Sequence, residues 1–180
     1  MILVPRKEHD VNDEAVLEVD PMLYRQVLGQ FPTGVTVIAT LDGERPVGLA
    51  VGSFFSVSLD PPLVGFCIMT TSTTWPVIER SARFGVSVLA DDQTDVCRRL
   101  ATKDPDKFEG LTWSSAPVTG SPHVDDAVAH IDCEVEAKYP AGDHWIVVGR
   151  VRHLAVQRSE AGPLIFCRGG YGRHQPLSLS

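Results

Sequence analysis

The chain has 180 residues, of which 43% are hydrophobic and 22% are charged, and this composition excludes disordered, collagenous and coiled-coil proteins. Sixteen basic and 23 acidic residues give a net charge of −7, which argues against nucleic-acid binding and against docking on an anionic membrane, because both need an excess of lysine and arginine. No apolar run approaches the roughly 20 residues that cross a bilayer. The N-terminus has no basic-then-apolar signal pattern, so we expect a cytoplasmic protein.

The first 20 residues carry six acidic and two basic side chains. We expect residues 1–20 to form a flexible N-terminal arm, and residues 21–175 to form a single domain. Asp20 and Pro21 predict the start of a short helix, which ends near Gly29.

Runs of β-branched residues predict strands through most of the rest of the chain. The predicted strands cover residues 34–41, 46–51, 54–59, 63–69, 84–90, 128–139, 145–157 and 164–168. Short helices are predicted over 73–81 and 91–101, and residues 102–128 are predicted to be loops. Eight strands with few helices favour a closed, mostly antiparallel barrel over a doubly wound fold, which needs long helices between its strands.

Several common sites are not indicated by the sequence. Four cysteines, at positions 67, 97, 133 and 167, form no Cys-x-x-Cys pair, so we expect reduced thiols and no zinc ribbon. Six histidines lack the spacing of metal ligands, and we expect no metal site. P-loop and G-x-G-x-x-G patterns are also absent, so a bound nucleotide must be held by residues outside these motifs.

Four segments carry the information on function: FPTGVTV (31–37), PVGLAVGSFFSVSLDPPLV (46–64), DPDKFEG (104–110) and GDHW (142–145). In this order they resemble the flavin reductase-like family, whose fold is the FMN-binding split β-barrel, and the resemblance runs from about residue 21 to residue 172. It implies a mostly β homodimer with short helices. It also implies hydride transfer from NADH or NADPH to FMN or FAD, and delivery of reduced flavin to a separate flavin-dependent oxygenase component.

A flavin ring is planar and apolar with one polar edge, so its site needs small side chains and backbone groups within hydrogen-bonding distance. Three serines, Ser53, Ser56 and Ser58, are expected to share one face of a strand. Their spacing alone favours a solvated hydroxyl face, whereas the resemblance favours flavin binding. The residues expected at the ring are Thr33, Gly34, Val35, Thr36, Ala50, Val51, Gly52, Ser53, Ser56 and Ser58.

Hydroxyl-bearing residues fill positions 70–74, directly before a predicted helix. Hydroxyls and free amides at a helix N-terminus suit a phosphate, although a single hydroxyl would be enough to cap the helix. In view of the resemblance we expect Ser72 and Thr74 to contact the flavin phosphate and Lys107 to add positive charge. Arg168 and Tyr171 are also expected to bind the cofactor, with a surface ion pair as the alternative for Arg168.

The resemblance implies that His144 acts in catalysis by orienting the nicotinamide. The alternative from the residues alone is a hairpin turn at Gly142 and Asp143, followed by an exposed histidine that begins a strand.

Many family members have asparagine or glutamine where this chain has Gly52, so a side-chain amide contact to the flavin is lost. A flavin-binding or carrier protein without significant reductase turnover is therefore the alternative function. An oxidase acting on a pyridoxine-type substrate is a third hypothesis, but the chain lacks the dense arginine and lysine pattern that a phosphorylated substrate requires.

Overall fold

The structure, a computed structural model, describes residues 19–177, so all but the last two residues of the predicted arm lie outside the described part. Three short helices are present: α1 (Pro21–Leu28), α2 (Trp75–Ser81) and α3 (Thr94–Leu100). The strands are β1 (Thr33–Gly34), β2 (Thr36–Asp42), β3 (Arg45–Val51), β4 (Phe55–Ser58), β5 (Leu63–Met69), β6 (Arg83–Val88), β7 (Trp113–Ser115), β8 (Pro122–Val124), β9 (Ala129–Ala141), β10 (His144–Val156), β11 (Leu164–Cys167) and β12 (Gly170–Arg173).

Seven strands form one antiparallel sheet in the order β3-β2-β6-β9-β10-β5-β4, and β1-β11-β12 and β7-β8 form two smaller sheets. The long hairpin β9–β10 is the centre of the large sheet, since β6 pairs with β9 and β5 pairs with β10. The prediction of a closed barrel is wrong for the described residues, because β3 and β4 remain the two edges of the large sheet. The chain between them, residues 52–54, forms no ladder that would join the edges.

The large sheet buries a hydrophobic core on each of its faces. Alternate residues of β2 point to opposite faces, so Ile38 lies in one core and Val37 in the other. Helix α2 covers the first core with Trp75 and Ile78. Helix α3 covers the second with Cys97 and Leu100.

The region predicted as loops, residues 102–128, contains the β7–β8 hairpin. It was missed because its strands are only three residues long and are interrupted by polar residues. The turn before β8 is held by the buried Asp132 carboxylate, which accepts hydrogen bonds from the amides of Val118 (2.9 Å) and Thr119 (3.0 Å) and from the Thr119 hydroxyl. The strand β12 was also missed, since two of its four residues are glycine.

A stacked pair of buried histidines fixes the hairpin to the large sheet. The rings of His123 in β8 and His130 in β9 lie 4.4 Å apart at 22°. The Nε2 of His123 is 3.2 Å from the Ile131 carbonyl, and the Nε2 of His130 is 2.8 Å from the Val124 carbonyl. Burial, and then repulsion from His130, lower the pKa of His123, although the Ile131 carbonyl and the Asp132 carboxylate oppose this effect.

All four cysteines are free thiols. Burial, together with the neighbouring Asp132 carboxylate, raises the pKa of Cys133 to about 12, so this thiol stays protonated. Between residues 19 and 177, no helix has the length and apolarity needed to cross a membrane.

We expect the free energy of unfolding to decrease as the pH falls below about 6.5, the ordinary pKa of histidine, because the unfolded chain then binds a proton that folded His123 resists. The contribution of His123 is fully present above that pH. His123→Phe keeps the ring stacking and removes the titration. Between roughly pH 7.5 and 5.5, urea unfolding should show the wild type losing more stability than this variant.

The control for this experiment is His174→Phe, since His174 is exposed. This variant should follow the wild type at every pH. Equal losses of stability in the wild type and in His123→Phe would contradict the role given to the buried imidazole.

Candidate functional site

The strand β3 is an edge of the large sheet, and among residues 19–177 it pairs only with β2, from Arg45 to Val51. Along an antiparallel strand, the peptide groups point alternately towards the partner strand and away from it. The Gly48 carbonyl accepts a hydrogen bond from the Thr74 hydroxyl (3.5 Å), outside the pair with β2. Ala50, two residues further along, therefore also presents its peptide groups outwards, at the outer edge of β3.

The end of β3 meets β1 at a corner made by Gly52, Thr33 and Gly34. A Cβ atom at Gly52 would lie 2.7 Å from the Thr33 Oγ1 atom and 3.8 Å from the Gly34 carbonyl oxygen. The space of a side chain at position 52 is thus occupied by the Thr33 hydroxyl. Both glycines are exposed, so backbone is accessible on both sides of Thr33.

The neighbouring residues Val35 and Thr36 were predicted to bind the cofactor, but each is only 4% exposed. Val35 packs in the core, and its amide donates to the Leu164 carbonyl (3.0 Å) while its carbonyl accepts from the Leu89 amide (3.0 Å). The structure corrects the prediction for these two side chains, because they face the interior. Val35 lies between β1 and β2 and Thr36 begins β2, so their backbone still fixes the position of Thr33 and Gly34.

The prediction that Ser53, Ser56 and Ser58 share one face is wrong. Ser53 precedes β4, and its Oγ accepts from the Cys67 amide and donates to the Cys67 carbonyl, both at 3.0 Å. A β-bulge at Val57 places Ser56 opposite Val64 and Ser58 opposite Leu63, so these two serines point to opposite faces of the sheet. Ser53 therefore attaches the chain after β3 to β5, and its hydroxyl is already used in doing so.

The hydroxyl-rich segment 70–74 connects β5 to α2, as predicted, but its side chains are mostly engaged. The Thr74 side chain is buried and donates to the Gly48 carbonyl, so the structure does not present its hydroxyl to a phosphate. Ser72 is half-buried and accepts a hydrogen bond from the Thr74 amide (3.2 Å). Of the two residues predicted here, Ser72 is the one closer to the surface.

Lys107 is engaged at the end of α3. Its Nζ donates to the carbonyls of Leu100 and Thr102, both at 3.3 Å, at the C-terminal end of α3. Burial lowers the pKa of Lys107, and the Asp104 carboxylate partly offsets this. The structure corrects its predicted role, because the ammonium caps a helix instead of joining Ser72 and Thr74.

His144 begins β10 directly after the turn at Gly142, whose φ is +63°. Its Nδ1 lies 2.7 Å from the Asp143 Oδ1, and its side chain is 39% exposed. The Asp143 carbonyl accepts from the amide (2.9 Å) and the hydroxyl (3.2 Å) of Thr70, which attaches the hairpin to the end of β5. His144 is therefore held next to the segment that carries Ser72.

Arg168 and Tyr171 belong to the β11–β12 hairpin. Cys167 pairs with Gly170, so Arg168 (φ +51°) and Gly169 (φ +76°) form a two-residue turn of the kind that needs positive φ at both positions. The Cys97 Sγ and the Tyr171 hydroxyl oxygen are hydrogen-bonded at 3.3 Å, and this contact, followed by burial, raises the pKa of Tyr171. This hairpin adjoins the corner described above, because β11 pairs Phe166 with Thr33.

Comparison with known proteins shows the family. Residues 28–175 match the flavin reductase like domain. The chain belongs to the flavin reductase-like family. It is 49% identical over 158 residues to the reductase subunit HsaB of a flavin-dependent monooxygenase from Rhodococcus jostii, a match that covers 88% of this chain and 80% of that protein.

Two solved structures with similar folds agree with this assignment. Nitrilotriacetate monooxygenase component B from Mycobacterium thermoresistibile has a TM-score of 0.82 at 42% identity, over 88% of this chain and 92% of that one. The Streptomyces globisporus NADH:FAD oxidoreductase SgcE6, in complex with NAD and FAD fragments, has a TM-score of 0.82 at 34% identity, over 88% and 97%. The predicted family, the mostly β split-barrel fold and the oxidoreductase class are confirmed.

The corner at Thr33, Gly34 and Gly52 fits the flavin of such a reductase. Two exposed glycines leave a flat surface, and the outer edge of β3 adds the peptide groups of Ala50 for a polar ring edge. These residues, together with the half-buried Val51, are the part of the predicted set that the structure brings together. Ser72 and His144 form a second group, and β3 connects the two, because Gly48 contacts Thr74 and Gly52 contacts Thr33.

Sequence reasoning missed three residues of this region. Asp143 and Thr70 hold His144 in place, and their proximity in the sequence to His144 and Ser72 was the available signal. Phe166 is exposed on β11 opposite Thr33, and an aromatic residue inside a short apolar run gives no sign of its exposure.

Gly52→Ala is expected to reduce the free energy of unfolding by about 1–3 kcal/mol, because the new Cβ would overlap the Thr33 Oγ1. Adding Thr33→Ala should restore most of this loss, since the remaining Cβ contact at 3.5 Å is of ordinary length. Gly34→Ala is the control, because its Cβ meets nothing within 4 Å. Urea denaturation measures all three, and an additive double variant would contradict the overlap.

Proposed function

We propose that this protein is an NAD(P)H:flavin oxidoreductase that reduces FMN or FAD and supplies the reduced flavin to a flavin-dependent oxygenase component. The observation that carries the proposal is the pair of groups that β3 connects. One lies at Gly52, just after the C-terminal end of the strand, and is suited to a flat ring; the other is reached from Gly48, in the middle of the strand, and contains His144. The relatives support it, since the Rhodococcus protein is named as a monooxygenase reductase subunit and the Streptomyces protein as an NADH:FAD oxidoreductase.

The residues at the corner bind and orient the ring. Gly34 and Gly52 let it lie close to the backbone, and the outer edge of β3 provides donors and acceptors for its polar edge. When bound, the flavin accepts a hydride from the nicotinamide of NAD(P)H and leaves in reduced form. Ser72, at the surface of the segment before α2, is placed to donate to the flavin phosphate.

Asp143 sets the tautomer of His144. Its hydrogen bond with His144 lowers the pKa of Asp143, so the carboxylate is ionised at neutral pH and can only accept. The His144 Nδ1 must therefore carry the hydrogen of their 2.7 Å contact, which leaves Nε2 for the nicotinamide. Because Thr70 fixes the Asp143 backbone, the imidazole has a defined position before NAD(P)H binds.

The experiment mixes the purified protein with NADH or NADPH and with FMN or FAD without oxygen, and follows the flavin absorbance. We expect bleaching with at least one pair. His144→Ala should raise the KM for the nicotinamide nucleotide about tenfold, through weaker binding, with a smaller effect on kcat.

His153→Ala is the matched control, since His153 lies on the same strand and is exposed. It should keep the wild-type KM. Tight flavin binding without NAD(P)H oxidation would support the carrier function instead, and an unchanged KM in His144→Ala would remove that residue from the site.

A homodimer and a cytoplasmic location are part of the proposal. Support for the dimer comes from α1, where none of the residues is buried although five of the eight are large and apolar. An exposed apolar helix face of this size is typical of a surface that a second subunit covers. Four free thiols favour a reducing compartment.

The double variant Leu23→Glu and Val27→Glu is expected to convert the dimer into a monomer, because two charges would be buried in the contact. Light scattering after size-exclusion chromatography gives the molar mass. Gln26→Glu, on the same exposed helix, should leave the molar mass unchanged. A dimer that persists in the double variant would show that α1 is not the contact.

A further inference from the structure

The tip of the β9–β10 hairpin extends beyond the rest of the large sheet. Pairing between β6 and β9 ends at Glu134, and one further hydrogen bond joins the Val135 amide to the Ala82 carbonyl (2.9 Å). In the described part of the chain, residues 136–141 of β9 therefore pair only with β10. His144 lies at this tip, so its position depends on the other contacts that hold the tip in place.

Lys138 joins the tip to helix α2. Its ammonium forms an ion pair with Glu79 and lies 5.6 Å from the centre of the Trp75 ring. Trp75 and Glu79 are one turn apart, so they lie on the same side of the helix. A single side chain of β9 thus contacts both a carboxylate and an aromatic ring of α2.

The same ammonium lies 4.6 Å from the centre of the Trp145 ring in β10. Lys138 pairs with Val147 in the β9–β10 ladder, and Trp145 is two residues from Val147, so Lys138 and Trp145 share one face of the hairpin. A cation within about 6 Å of an aromatic ring centre is attracted to the ring, and here one ammonium meets this condition for two tryptophans.

Each of the two tryptophans adjoins one part of the candidate site. Trp75 begins α2 directly after the segment that carries Ser72, and Trp145 directly follows His144. Hydrogen bonds from the end of β5 already hold the turn before His144 from one side of the hairpin. The Lys138 ammonium holds the tip from the other side, and it connects the tip to the start of α2.

We propose that Lys138 is a positioning residue that fixes His144 relative to Ser72 before the substrates bind. The inference rests on the proposed function, because it takes His144 as a contact of the nicotinamide. A group that is already held in its binding position loses less conformational freedom when a ligand arrives. The Lys138 side chain lies on the opposite face of the hairpin from His144, so it acts through Trp145.

The test uses Lys138→Met, which keeps the alkyl chain and removes the charge. The KM for the nicotinamide nucleotide should rise about fivefold, with kcat nearly unchanged. Lys138→Arg keeps the cation and should behave as the wild type, whereas Glu79→Gln, which removes the ion pair, should give a smaller rise. Arg152→Met is the matched control, since Arg152 is similarly exposed and pairs with Glu134 (Nε to Oε2, 2.8 Å) farther along the same hairpin. It should keep the wild-type KM.

The double variant Lys138→Met and His144→Ala separates positioning from a general structural role. If Lys138 acts through His144, its replacement should add nothing to the KM of His144→Ala. A rise in KM by the same factor in the presence and in the absence of His144 overturns the inference. A wild-type KM in Lys138→Met overturns it as well.

Hydrogen–deuterium exchange without flavin or nucleotide separates this inference from the proposed function, because it needs no reductase activity. The amides of residues 139–147 should exchange several-fold faster in Lys138→Met than in the wild type, and at the wild-type rate in Arg152→Met. Faster exchange in a protein that bleaches no flavin would support the contact of Lys138 with the tip and contradict the proposed function. Equal exchange in the wild type and in Lys138→Met overturns the inference.

Discussion

The candidate site depends on one constraint: β3 has a strand partner on one side only, within the part of the chain that the structure describes. Its inner side pairs with β2, and its outer side is met by single side chains, the Thr74 hydroxyl at Gly48 and the Thr33 hydroxyl at Gly52. If a further strand paired there, the outward peptide groups of Ala50 would be used in the sheet and no edge would remain for a ligand. The break between β3 and β4 therefore leaves this edge open to the proposed ligand. Ser53 makes the break stable, since its hydroxyl satisfies both backbone groups of Cys67 where β4 has not yet begun.

Much of the fold followed from local patterns. Apolar runs bounded by turn residues located the strands from β2 to β6 and the long pair β9–β10 to within a few residues. Each of these strands is long enough to bury one or both of its faces, and this gives it a clear apolar pattern. The β7–β8 hairpin could not be predicted, because it is stabilised by partners that are separate from it in the sequence, the Asp132 carboxylate and the His130 ring. The open edges of the large sheet could not be derived either, because closure depends on pairing between strands far apart in sequence.

The site was predicted as a set of segments more accurately than as a set of side chains. Family resemblance selected the C-terminal end of β3, the segment after β5 and the turn before β10, and hydrogen bonds connect the segment after β5 both to β3 and to that turn. The resemblance did not indicate which hydroxyls already form hydrogen bonds within the protein, because hydrogen bonds such as those of Thr74 and Ser53 are tertiary contacts. Position 52 lacks a side chain because the Thr33 hydroxyl fills the space that a Cβ atom would need. This contact joins two positions far apart in the sequence, so neither position reveals it alone. Lys107 was selected for its charge as part of a motif, but its ammonium caps α3.

The other edge of the large sheet has a different consequence. β4 ends the sheet with Phe55 and Val57 exposed, and Leu59 follows with 92% of its surface exposed. A regular apolar edge of this kind is a template on which strands from other molecules add, and this leads to aggregation. The bulge at Val57 interrupts the ladder after two residue pairs and twists the edge away from a straight template. The bulge at Val57 thereby protects the folded protein from self-association through strand addition.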